Sequence, residues 1–221
     1  MAKRRAIFKP LMVLALIAAL MGLGGARAMA QPGTIVALGD SLTAGFGLPA
    51  EAAFPAQLEV YLKARGHDWR VVNAGASGDT SAGGLARLDW ALGDEPDIVI
   101  VELGANDGLR GLPVEAMEAN LDAILTRLKA AGVTTVLSGM RAPPNMGPDY
   151  AEAFAAIYPR LAAKHGATLD PFFLEGVAAE PALNQPDGIH PTEAGIARIV
   201  VRLGPLIEQV IATHQAKKAG G

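Results

Sequence analysis

Ser41 stands in the run Gly39-Asp40-Ser41-Leu42, and far downstream His190 follows Asp187 by three residues in Asp187-Gly188-Ile189-His190-Pro191. A serine hydroxyl is a weak nucleophile until a base takes its proton. A neutral imidazole, with a reference pKa near 6.5, is the usual base at neutral pH. A carboxylate behind it holds the ring in the useful tautomer and stabilises the imidazolium. Ser41, His190 and Asp187 are therefore the candidate nucleophile, general base and orienting acid. Attack on an acyl carbon also needs fixed donors where the oxyanion develops. The candidates are the Ser41 N–H, a glycine N–H from the block Asn73–Thr80, and the side-chain amide of Asn106 in Gly104-Ala105-Asn106-Asp107. Gly75 and Gly78 both lie in the second block, and the residues alone do not separate them.

Taken singly, each signal has an ordinary reading. Gly-Asp-Ser is a common triplet, and a glycine after a strand is usually just a turn. Asn106 could cap a helix, Asp187 could be a turn residue, and His190 could be a helix-start histidine before Pro191. Their joint occurrence, in this order and at strand ends, carries the chemical reading. Asp40, Asp79 and Asp107 adjoin the candidates and read better as carboxylates bonded to loop backbone than as metal ligands. His67, His165 and His214 fall at or near predicted helix ends and read as solvated. No His, Cys and Asp spacing suggests zinc. Gly104–Gly108 is too short for a phosphate-binding loop and lacks the following Lys-Ser/Thr. Neither a metal nor a cofactor is expected.

The elements that must position these residues alternate in type. Thr34–Leu38, Arg70–Val72, Ile98–Leu103 and Val133–Leu137 are continuous apolar runs, as expected for strands buried on both faces, with Ala167–Leu169 a short fifth. Between them lie the amphipathic stretches Phe54–Arg65, Ser81–Leu92, Val114–Ala131 and Tyr150–Lys164. A last helix is expected from about Thr192 to Ile211, with a frayed tail over Lys217–Gly221. This alternation predicts an α/β domain with a parallel sheet and helices on both faces. Residues 139–149 and 180–190, rich in Pro and Gly, read as loops.

In an open parallel sheet, ligands bind outside the carboxyl ends of the strands. The blocks at 39–42, 73–80 and 104–107 follow the first three strands, so one rim receives the serine, the glycine and the asparagine. Met140, Pro143, Pro144 and Met146 follow the fourth strand onto the same rim. They are candidates for an apolar wall along an acyl chain, or for plain loop packing. Leu109, Pro143, Met146 and Ile189 are the candidate substrate contacts.

The first thirty residues read as a secretory signal peptide. Lys3, Arg4, Arg5 and Lys9 precede the apolar run Leu11–Leu23, and Ala28-Met29-Ala30 supplies the small residues before a cleavage at Gln31. The apolar run is broken at Gly22, Gly24 and Gly25, short of the roughly 20 residues a membrane span needs. The expected organisation is residues 1–30 as signal and 31–221 as one domain, exported to the periplasm or beyond, without a membrane anchor. Removing 1–30 takes away five of the 19 basic residues and none of the 22 acidic ones, leaving a formal charge of −8. That excess argues against nucleic acid as a partner, since phosphate neutralisation needs basic patches. With no cysteine, the chain has neither disulfides nor a thiol nucleophile.

Ser41, Gly78, Asn106 and His190, with Asp187 three residues before the histidine, resemble the four blocks of the GDSL or SGNH hydrolases, and GDSL stands literally at 39–42. The resemblance covers roughly Thr34 to Val210. It is similar in particular to the periplasmic branch of multifunctional acyl-CoA thioesterases, lysophospholipases and arylesterases. Ser77–Ser81, Val101–Gly111, Tyr150–Pro159, Pro171-Phe172-Phe173 and Asp187–Pro191 carry that closer likeness. The resemblance implies a three-layer α/β/α flavodoxin-like sandwich with a parallel sheet of about five strands. It selects Gly78 over Gly75 as oxyanion donor and makes Leu109–Leu112 a mobile rim loop. It implies a serine hydrolase acting on small-molecule acyl esters and thioesters, including arylesters, lysophospholipids and acyl-CoA-type substrates; the expected assembly is a monomer. The alternatives are an O-deacetylase for cell-wall or other glycans, and a silent acyl-binding protein, whose mark would be a missing catalytic residue.

Overall fold

The computed structural model describes residues 33–220. The signal segment expected over 1–30 lies outside them. Each apolar run becomes a strand: β1 (Gly33–Gly39), β2 (Trp69–Gly75), β3 (Ile98–Glu102), β4 (Thr134–Ser138) and β5 (Thr168–Asp170). They form one parallel sheet in the order β2-β1-β3-β4-β5. Every residue of β3, the central strand, is buried, so both of its faces are covered. Ile35, Leu38, Ile98 and Ile100 are fully enclosed, and each such side chain stabilises the fold by about 1.5–3 kcal/mol.

The helices are α1 (Ser41–Ala44), α2 (Phe54–Ala64), α3 (Ser81–Ala86), α4 (Leu88–Leu92), α5 (Ala105–Leu109), α6 (Val114–Ala130), α7 (Pro148–His165) and α8 (Glu193–Gly220). One layer pairs α2 with α8, and the other packs α6 against both α3 and α7. The expected three-layer α/β/α sandwich of five parallel strands is what the chain adopts.

Register places the site. Gly75 of β2 lies beside Gly39 of β1, Gly39 beside Glu102 of β3, Glu102 beside Ser138 of β4, and Ser138 beside Asp170 of β5. The last residues of all five strands thus form one row, and whatever follows them emerges at one rim.

Several boundaries differ from expectation. The stretch Ser81–Leu92 is two helices, broken at Arg87, whose φ of −107° and ψ of 11° leave the helical region. Its guanidinium is held by three acceptors near the strand ends: the Ala74 and Gly39 carbonyls, each at 2.6 Å, and the Asp79 carboxylate. Within the described residues the tail is helical rather than frayed, because α8 continues to Gly220. His214 is buried on that helix, its Nδ1 2.9 Å from the Thr134 hydroxyl, and Lys218 pairs with Asp97. His165 is likewise not solvated: its side chain is 9 % exposed and Nε2 lies 2.6 Å from Asp122.

Candidate active site

Ser41 is the first residue of α1, directly after β1. Asp40 caps that helix, its Oδ1 accepting from the Leu42 N–H at 2.9 Å, as a short polar N-cap side chain does. The turn throws the Ser41 side chain toward the carboxyl-end rim. There His190 Nε2 lies 2.9 Å from Ser41 Oγ, and His190 Nδ1 lies 2.7 Å from Asp187 Oδ2. Asp187 also shapes the loop that presents the histidine: its Oδ1 accepts from the Ile189 and His190 N–H groups at 2.9 and 3.0 Å. The His190 N–H, then the Ile189 N–H, then the imidazole itself hold the Asp187 carboxyl down at about 2. It is therefore ionised wherever an imidazole can act as a base.

The other rim residues converge on the same place. Ser41, Gly78, Asn106 and His190 all line one cleft of about 720 Å³. Asn106 lies inside α5, whose N-cap is Gly104, so the cap reading of Asn106 does not apply. Its Nδ2 donates instead to Asp40 Oδ2 at 3.0 Å. An amide nitrogen carries two hydrogens, so one N–H is anchored on Asp40 while the other remains for the cleft. The two glycines left open by the sequence now separate. A Cβ on Gly75 would come within 2.3 Å of the Ala44 backbone nitrogen, so Gly75 allows β2 and α1 to touch. A Cβ on Gly78 would meet only the Arg110 guanidinium, at an ordinary 3.7 Å, but Gly78 has φ +85°, a left-handed conformation that side chains disfavour. Gly78 lines the cleft and Gly75 does not.

The sequence profile of the GDSL-like Lipase/Acylhydrolase family matches residues 37–198. The chain belongs to that family. It is 43 % identical over 179 residues to Esterase TesA of Pseudomonas aeruginosa, covering 80 % of this chain and 89 % of the relative. To the thioesterase 1/protease 1/lysophospholipase L1 of Escherichia coli K12 it is 48 % identical over 159 residues, with 72 % and 75 % covered. Among solved structures, AlinE4, a SGNH-hydrolase family esterase, superposes with a TM-score of 0.70 at 44 % identity, covering 82 % of this chain and 98 % of the other.

In this GDSL-like chain the cleft walls are mostly apolar. Leu109, Pro143 and Ile189 line it, as do Met140 and Pro144. Met146 does not. It closes the single 3₁₀ turn Pro144–Met146, and that reversal carries its side chain to the Gly111 backbone instead. In the rim segment after α5, Arg110 Nη2 donates to the Gly78 carbonyl at 2.7 Å, and the Leu112 carbonyl accepts from the Tyr150 hydroxyl at 2.9 Å.

Three contributors have no signal in the sequence reading. Phe46 lines the cleft with its ring centroid 4.5 Å from that of His190. Arg87 ties the loop of Gly78, through Asp79, to the ends of β1 and β2. Glu102 lies buried beneath the turn that carries Ser41, its Oε2 accepting from the Thr43 hydroxyl at 2.8 Å. Burial, and then the neighbouring Asp40 charge, push the Glu102 carboxyl well above its ordinary range. Asp40 itself is pushed up to about 6, chiefly by burial and against the bonds from Leu42 and Asn106. None of the three stands in a local pattern. Arg87 and Glu102 matter only once β1, β2 and β3 are adjacent, and Phe46 only once its loop meets that of His190.

Asp40 and Asp107 accept from backbone N–H groups as expected, those of Leu42 and Ser81, whereas Asp79 accepts from the Arg87 guanidinium. Asp107 takes the Ser81 N–H at 2.8 Å and the Ser81 hydroxyl at 2.6 Å. Among the described residues, no group of three or more His, Asp or Glu side chains is arranged to hold a metal.

Proposed function

We propose that the chain hydrolyses acyl esters and thioesters through an acyl-Ser41 intermediate. The carrying observation is the continuous line Ser41 Oγ–His190–Asp187, at 2.9 and 2.7 Å, opening into an apolar cleft. His190 Nε2 takes the Ser41 proton as Oγ attacks the acyl carbon, and Asp187 stabilises the imidazolium. The Ser41 and Gly78 N–H groups and the free N–H of Asn106 receive the oxyanion. His190 then protonates the departing alcohol or thiol. A water deprotonated by the same imidazole releases the acid and regenerates the serine.

The apolar walls favour a hydrocarbon acyl chain, as in arylesters, lysophospholipids and acyl-CoA-type thioesters, over an acetylated glycan, which would need polar sugar contacts. The names of the relatives, an esterase and a thioesterase/lysophospholipase, support the same class. The enzyme acts after export, as a monomer free of a membrane anchor. Among the described residues no helix is long and apolar enough to cross a bilayer.

A fluorophosphonate probe is expected to label Ser41 stoichiometrically, and Ser41→Ala to abolish both labelling and turnover on an ester and thioester panel graded by chain length. Labelling at Ser77 or Ser81 would move the site. A panel preference for acetyl over longer chains would favour the deacetylase.

A further inference from the structure

His190 rides on a self-contained loop. The Thr192 N–H donates to the Leu183 carbonyl at 2.9 Å, the Gln185 N–H to the His190 carbonyl at 2.7 Å, and the Gly188 N–H to the Gln185 carbonyl at 2.9 Å. Such a loop fixes the histidine relative to itself, but not relative to Ser41, which sits on a different element. Something must join the two. Among the described residues, only two hydrogen bonds cross from residues 183–192 to residues 41–53. One is Ser41–His190 itself. The other runs from the Gln185 side chain, whose Nε2 donates to the Phe46 carbonyl at 2.7 Å and to the Pro191 carbonyl at 3.0 Å.

The far end of that link is close to the nucleophile. The Phe46 N–H donates to the Ser41 carbonyl at 3.1 Å. Gln185 thus reaches the backbone of Ser41 across one residue, and the backbone of His190 through its own N–H. The same link brings the Phe46 ring against the imidazole. The neighbouring residue is shaped to admit it, since a Cβ on Gly47 would lie 2.3 Å from Gln185 Oε1.

We infer that Gln185 is a positioning residue that clamps the histidine loop to the nucleophile loop and so sets the Ser41–His190 approach. This rests on the reading of Ser41 as nucleophile and His190 as base. The physical requirement is two donors on one side-chain nitrogen, aimed at two carbonyls on different loops. Methionine has the length of glutamine without the donors. Glutamate has the shape but would set a carboxylate against two carbonyl oxygens.

The test is the rate of fluorophosphonate labelling at Ser41, with kcat and KM for a short ester, measured on wild type, Gln185→Met and Gln185→Glu well below their melting transitions. Misplacing a base by about an ångström costs up to roughly a hundredfold. The expected order of labelling rate and kcat is Gln, then Met at about a tenth, then Glu lower still, with KM changing much less. If Gln185→Glu fails to fold, Gln185→Met carries the test alone. A lower melting temperature with an unchanged labelling rate would reduce Gln185 to a structural residue and overturn the clamp, as would no change in either. Absence of Ser41 labelling in the wild type would instead overturn the underlying reading, and the clamp with it.

Discussion

Asp40 sits between Ser41, the proposed nucleophile, and Asn106, a proposed oxyanion donor, and its two oxygens serve different masters. Oδ1 caps α1, while Oδ2 holds one hydrogen of the Asn106 amide. In Asp40→Asn the cap oxygen survives, but an NH₂ group meets the Asn106 NH₂ group. The Asn106 amide is then expected to turn over and present its oxygen to the cleft. We expect kcat to fall roughly 10²–10³-fold, as for loss of an oxyanion donor. Stability should move the other way with pH. Asp40 titrates near 6 in the fold against 3.8 for the free group, so the native state keeps a proton that the unfolded chain releases between about pH 4 and 6. Wild-type stability therefore falls as pH rises through that window, by a few kcal/mol at most. The asparagine variant lacks this loss, so its melting temperature relative to wild type should improve from pH 5 to pH 8. Melting curves at both pH values, with kcat on the same samples, check this. A difference that worsens with rising pH would put the Asp40 proton elsewhere. Asn106→Ala should lose similar turnover, but it also strips a donor from a buried carboxylate. A drop in its melting temperature is therefore no evidence against the oxyanion role.

The element that matters most is also one of the shortest. Helix α1 has four residues and lies directly against β2 at Gly75. A methyl at position 75 would meet only backbone: the Ala44 nitrogen at 2.3 Å, the Ala44 Cα at 2.6 Å and the Asp40 carbonyl at 2.9 Å. No side chain can swing away, so α1 must move and take Ser41 with it. Gly75→Ala is expected to cost about 1–3 kcal/mol, as overpacking does, and to lower kcat together with the melting temperature. A variant with wild-type kcat and melting temperature would show that α1 and β2 are less closely apposed than 2.3 Å implies.

For the whole molecule, the parallel sheet order and the common row of strand ends do the assembling, and the long α8 covers one face while delivering nothing to the site. The exported form is expected to begin at Gln31, with a net charge of −8. Intact-mass measurement of protein from the cell envelope checks this, and a retained Met1 would make the enzyme an anchored one. The positions of β1, β3 and β4 were legible in the sequence because strands buried on both faces read as unbroken apolar runs, whereas the edge strand β2 exposes Arg70 and Asn73. The serine, asparagine, aspartate and histidine were legible because their chemistry restricts which residue types can serve, and because strand ends face one rim. Position 78 was legible only through the family likeness. What separates it from position 75 is a positive φ and a close approach, and neither is a property of composition. Arg87, Gln185, Phe46 and Glu102 were not legible at all. Arg87 and Gln185 act chiefly on backbone carbonyls, which have no sequence signature, while Phe46 and Glu102 meet the side chains of His190 and Thr43 from segments distant in sequence. The sequence by itself determined which side chains are available for the chemistry and that they emerge at one rim. Only the tertiary structure decided which of their neighbours hold them, because that depends on distances across chain segments that no local pattern encodes.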